Sequence, residues 1–187
     1  MIVNEDELKV HIGCGVNYLD NWTNTDIKGK YDLKWNLLEI NPFEKKSVNY
    51  FFMEHVLEHF TLAEGLKICK SIFNSLKVGG VARISVPSLL SLIDGYLNDP
   101  DFINIHNKNF PKNKIKFKSQ LFNSVFYHYQ HKNIYDEQLL TYVLINAGFK
   151  YHKLKFGKPG SGVYFGIERR IYKKNSSVES LIVEATK

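Results

Sequence analysis

Leu8-Lys9-Val10-His11-Ile12-Gly13-Cys14-Gly15 is the chain's first apolar run, and it ends on a pair of glycines. It reads as a buried strand that breaks into a tight turn. Further strands are expected at Thr23 to Ile27, Val48 to Met53, Val81 to Val86, Tyr151 to Phe156 and Val163 to Glu168. Between them Ala63 to Leu76 spaces Leu66, Ile68, Cys69, Ile72, Phe73 and Leu76 as an amphipathic helix, with Gly79-Gly80 as its stop. Asp136 to Ala147 repeats the pattern, and Gly148 follows as its C-terminal cap. Strands alternating with helices of this length imply βαβ units and a mostly parallel sheet covered on both faces. The last two strands, joined through Gly157 to Gly162, are expected as an antiparallel hairpin at one edge.

A chain of 187 residues holds one substantial core. With 44% hydrophobic and 24% charged residues it sits near the globular average, which excludes a disordered chain. Residues 1–172 are expected as a single domain. Residues from about 96 to 132 break the alternation with polar, aromatic and lysine-rich sequence, and read as a long irregular insertion. Residues 173–187 form a tail without assignment. Cys14 and Cys69 lie far apart with no CxxC pair, fitting neither a disulfide framework nor a zinc ribbon, so a cytoplasmic location is expected. No leader and no membrane-length apolar window is read. The net charge of +6 is partly local to Lys108, Lys112, Lys114, Lys116 and Lys118, a solvated loop or an anion-attracting surface.

In an open parallel sheet, ligands sit outside the carboxyl ends of the strands, where the strand order reverses. Glycines after the first strand let backbone N–H groups approach a ligand, and Asp26, at the end of the second, supplies a carboxylate for ribose hydroxyls. Two glycines are also what an ordinary turn requires. The dinucleotide fingerprint fails, because Tyr18 stands where its third glycine belongs and Asp26 comes too early for its acid.

His11-Ile12-Gly13-Cys14-Gly15 followed by Asn21-Trp22-Thr23-Asn24-Thr25-Asp26 resembles the opening of a family of small S-adenosylmethionine-dependent methyltransferases of class I, Rossmann-like fold. The resemblance extends from about residue 8 to residue 168. It covers Asp32 with Asn36-Leu37, Pro42-Phe43, Glu54-His55-Val56-Leu57-Glu58-His59, and Leu76-Lys77-Val78-Gly79-Gly80 through Val86-Pro87-Ser88. The chain departs from the family at Asn21 (usually glycine), Asn36 and Asn49 (aspartate), Val78 (proline) and Asn133 (aromatic). The resemblance implies S-adenosylmethionine as cofactor, held by Gly13, Cys14, Gly15, Asp26, Asn36, Leu37, Glu54 and His55. It also matches His131-Lys132-Asn133-Ile134-Tyr135-Asp136, which makes His131 the candidate base, with His128 as a substrate-binding residue.

His55-x-x-Glu58-His59 has a second reading. Histidines at i and i+4 on one helical face with an intervening glutamate form the signature of inverted zinc peptidases. The motif follows an apolar strand, and no downstream acidic cluster offers a third ligand, so a zinc hydrolase is the lesser alternative and no metal is expected. Aromatic residues interleaved with lysines suit single-stranded nucleic acid, but no RNA-binding motif accompanies them. The expected activity is methyl transfer to a small-molecule or sugar-containing acceptor; the alternative is a non-catalytic S-adenosylmethionine- or nucleic-acid-binding protein of the same fold.

Overall fold

The computed structural model describes residues 7–157, 167–168 and 180–187. Seven strands form one sheet in the order β3-β2-β1-β4-β5-β7-β6. They are β1 (Lys9–Ile12), β2 (Thr23–Asp26), β3 (Leu33–Lys34), β4 (Val48–Glu54), β5 (Leu76–Pro87), β6 (Leu154–Gly157) and β7 (Ser180–Thr186). The first five run parallel, and β7 lies antiparallel between β5 and β6. All residues of β4 but Asn49 are buried: Val48, Phe51 and Met53 join the main core, and Tyr50 and Phe52 meet the Trp22 ring edge-on. The expected mostly parallel sheet with antiparallel C-terminal strands is therefore the observed one.

The composition of that antiparallel edge differs from the expectation. The described partner of β6 is β7, drawn from the tail, with Leu154 opposite Ala185 and Phe156 opposite Val183. Of the expected strand Val163 to Glu168, residues 163–166 lie outside the described residues, and Ile167 and Glu168 carry no strand. Arg83 of β5 sits opposite Glu184 of β7, their side chains 2.8 Å apart and buried, and Arg83 also pairs with Glu168.

Helix α1 (Leu62–Ser75) starts in a capping box: Thr61 accepts from the Glu64 N–H, and the Glu64 carboxylate accepts from the Thr61 N–H at 2.8 Å. It ends at Leu76, where the chain turns directly into β5, so Gly79-Gly80 is not its stop. A Cβ on Gly80 would lie 3.0 Å from the Lys77 carbonyl and 3.1 Å from that of Asn49, so the glycine serves close approach of β4 and β5. Helix α5 (Glu137–Ala147) is capped by Asp136, whose carboxylate accepts from the Leu139 N–H at 2.8 Å, and by Gly148 at φ 121°.

The span 96–132 is not irregular. The helix α2 (Leu89–Asn98) enters it, and α3 (Phe102–Asn109) and α4 (Lys118–Tyr127) occupy about half of it. These helices bury Leu92, Phe102, Ile115, Leu121 and Val125 as a second small core beside the main one. No described helix is long and apolar enough to cross a membrane, and both cysteines are buried free thiols.

Candidate functional site

The strand order reverses between β1 and β4, and the carboxyl ends of these strands carry Gly13-Cys14-Gly15 and Glu54-His55 side by side, with Ile12 paired to Met53. Gly13 has φ 65°, and a Cβ there would meet Val56 Cγ2 at 2.4 Å. Gly15 has φ 54° and open space where a Cβ would stand. One glycine is thus required by packing and conformation, the other by conformation alone.

Asp26 closes this turn. Its carboxylate accepts from the Gly15 N–H at 2.8 Å, the Ile27 N–H at 2.6 Å and the Lys28 N–H at 3.1 Å. A carboxylate has about four acceptor positions, so about one remains for a ligand hydroxyl rather than the pair that the sequence suggests. Cys14 contributes structure: its N–H donates to the Thr25 carbonyl at 3.1 Å, its thiol faces the Lys30 carbonyl at 3.4 Å, and burial raises its pKa.

Asn24 explains the Trp-x-Asn-x-Asp pattern. Fully buried, it accepts from the Leu19 N–H at 2.9 Å and donates to the carbonyls of Leu19 and Trp22, both at 2.9 Å. It thereby folds the brief first crossover back on itself. His11 Nδ1 lies 3.2 Å from the same Asn24 oxygen, and burial lowers the His11 pKa to about 4, so the ring is neutral and donates there. Asp32 accepts from the Asn24 N–H at 2.8 Å and from the Tyr18 hydroxyl; the Tyr18 bond first, then the Asn24 backbone, holds its carboxyl below the usual range.

Beyond β3, Asn36 accepts from the Leu38 N–H at 3.1 Å and donates to Glu39 at 3.2 Å, making a local turn, while Leu37 packs against the main core. Glu54 is buried opposite Ser85. His55 departs from the helical expectation: it sits at φ 53°, and only the short 3-10 turn Leu57–His59 follows. Its Nε2 lies 2.9 Å from Ser180 Oγ at the start of β7, and its Nδ1 is 3.4 Å from Glu58 Oε1. The one-faced i, i+4 helical arrangement behind the zinc-peptidase reading is therefore not formed.

What forms instead centres on Glu58, wholly buried and missed as a focus by sequence reasoning. The backbone N–H groups of Lys132 and Asn133 donate to the Glu58 carbonyl at 2.8 and 3.1 Å, and the Asn133 side chain donates to the Phe60 carbonyl at 2.6 Å. This strap delivers His131, whose Nε2 is 3.8 Å from Glu58 Oε1 and whose ring meets that of His59 edge-on, centroids 4.8 Å apart. His128 stays outside the group: it is exposed, and its Nε2 is 3.1 Å from Asn113 Nδ2. A separate open cleft between α5 and β6, lined by Glu137, Tyr142, His152 and Phe156 among others, contains none of the expected site residues.

No protein-family model matches the chain, and no curated protein matches it in sequence. Solved structures match over nearly its whole length. A methyltransferase dependent on S-adenosylmethionine from Methanosarcina mazei is similar at TM-score 0.60 and 15% identity, covering 99% of this chain and 94% of that one. Another from Archaeoglobus fulgidus gives TM-score 0.59 and 16% identity over 98% of this chain and 87% of its own. Geranyl diphosphate C-methyltransferase from Streptomyces coelicolor, solved with Mg2+, geranyl diphosphate and S-adenosyl-L-homocysteine, gives TM-score 0.55 and 15% identity over 97% and 71%. The fold is that of the class I S-adenosylmethionine-dependent methyltransferases.

Proposed function

We propose that this chain is an S-adenosylmethionine-dependent methyltransferase acting on a small-molecule or sugar-containing acceptor in the cytoplasm. The observation that carries the reading is the turn Gly13–Gly15 held to Asp26 at the reversal point of the sheet. In this reading the remaining acceptor position of Asp26 takes a ribose hydroxyl, and the open side of Gly15 faces the cofactor. Asn36 and Leu37 border the adenine, and Glu54 and His55 border the methionine end. The domain that carries the activity takes in the tail as well as residues 1–172, since β7 stands within the sheet and its Ser180 meets His55, and the helical span 96–132, with His128, supplies the acceptor side.

Methyl transfer is an in-line displacement. The carbon–sulfur bond breaks with its electron pair going to sulfur, the acceptor's lone pair forms the new bond to carbon, and the acceptor's proton must leave. The sulfonium supplies the electrophile; the protein supplies alignment and proton removal. His131, strapped beside Glu58, is the group assigned to the acceptor's proton.

Calorimetric titration with S-adenosylmethionine tests the cofactor half. Asp26→Ala should weaken binding by at least about 1.5 kcal/mol, the scale of a charge-assisted hydrogen bond, with the fold intact by circular dichroism. Unchanged affinity would remove the site assignment. Methyl transfer screened against polar metabolites, nucleotide sugars and RNA then separates an enzyme from a binding protein of the same fold.

A further inference from the structure

One donor atom from each of Glu58, His59 and His131 lies within 4.8 Å of the other two. Two come from the 3-10 turn after β4, and the third from the strap that follows α4. We infer that these three side chains form a binding site for a divalent transition-metal ion.

The ligand set determines the metal class. Two imidazoles and one carboxylate suit zinc, iron, cobalt or nickel, whereas magnesium and calcium call for oxygen donors. Ligand atoms held about 2.1 Å from one tetrahedral ion stand about 3.4 Å apart. Glu58 Oε1 and His131 Nε2 are 3.8 Å apart, so a small rotamer adjustment closes that pair. Glu58 is wholly buried, while His59 and His131 keep partial exposure, so the protein ligands cover one side of the ion and leave the other toward the surface.

His55 does not join the ligands here as the zinc-peptidase motif would have it. Anchored through Nε2 to Ser180 and 3.4 Å from Glu58 Oε1 through Nδ1, it is a positioning residue that orients the carboxylate. With an ion bound, His131 would serve as its ligand rather than take the proton itself, and the ion would bind and acidify an acceptor hydroxyl in its place, so the inference takes its functional meaning from the proposed acceptor side.

The test uses the full chain, stripped with a chelator and titrated without cofactor or acceptor. Zn2+ should bind as one equivalent at micromolar affinity or tighter, Co2+ should give the visible absorption of a low-coordinate nitrogen and oxygen site, and Mg2+ should not compete at millimolar concentration. His59→Ala and His131→Ala should each weaken Zn2+ binding by more than about 100-fold, beyond what loss of an outer partner costs, and His55→Asn by about 10-fold. Should an alanine variant fail to fold, His59→Gln and His131→Gln preserve bulk and serve in its place. No stoichiometric binding, binding unaffected by both ligand variants, or equal competition by Mg2+ would each overturn the site. S-adenosylmethionine affinity, measured on the stripped chain, reports separately on the cofactor reading.

Discussion

Asn21 stands at φ 61°, in the left-handed region, at the end of the brief crossover that Asn24 folds back. Glycine is the residue that adopts this conformation without penalty and asparagine the one that tolerates it best, so exchange of one for the other preserves the turn. Asn21→Ala should destabilise the chain by about 1 to 2 kcal/mol and Asn21→Gly by far less, read as the shift in urea midpoint. Asn133 is comparable, since its amide holds the Phe60 carbonyl and thereby the strap. The side chain that strap delivers gives a second prediction: His131→Ala should leave cofactor affinity within about twofold while cutting turnover by roughly 100-fold. Full turnover in that variant would make the histidine structural. At this scale the glycines and Asp26 were legible because conformation and charge are local properties. The convergence on Glu58 was not, because His131 approaches it across the whole of α1 to α4, a distance in sequence that no spacing rule spans.

Among the elements, the parallel strands were readable because a strand buried on both faces is a continuous apolar run, as in Val48–Glu54 and the Val81 to Val86 part of β5. β3 escaped notice because two residues hold no period. The helices α3 and α4 were hidden because they are short, eight and ten residues, and lie among Lys108, Lys112, Lys114, Lys116 and Lys118, which make the span read as polar. β7 carries a readable core, Leu181-Ile182-Val183, but its place between β5 and β6 depends on a partner distant in sequence. Arg83 is that partner: a one-residue slip of β7 would carry Glu184 to the opposite face and leave buried Arg83 with Glu168 in place of two carboxylates. Arg83→Met should therefore cost about 3 to 5 kcal/mol, because two carboxylates are left buried around the lost charge. The triple variant Arg83→Met, Glu168→Leu, Glu184→Leu should recover much of that loss in urea unfolding, since apolar side chains in place of buried ion-paired ones are commonly neutral or stabilising. A triple variant no more stable than Arg83→Met would mean that the group contributes through packing rather than charge.

For the molecule as a whole, the buried histidines set how the fold responds to acid. His11 lies inside the sheet, stacked on Phe52 with centroids 5.0 Å apart, and burial lowers its pKa from 6.5 to about 4. His106 is shifted in the same direction, again chiefly by burial. A histidine whose folded pKa lies below its unfolded value binds its proton more readily in the unfolded chain. Stability then falls as pH drops below about 6.5, and the loss levels off below about pH 4, where both states are protonated. For His11 alone the loss between pH 7 and pH 5 comes to about 2 kcal/mol, and His106 adds to it with the same sign. His11→Asn keeps an amide N–H for the Asn24 oxygen while removing the titrating ring. Its unfolding free energy in urea should therefore decline less between pH 7 and pH 5 than that of the unaltered chain, by about 2 kcal/mol, whatever its stability at neutral pH. An acid decline of undiminished slope in His11→Asn would show that the buried ring is not its source, and would leave the carboxylates and the remaining histidines to account for it.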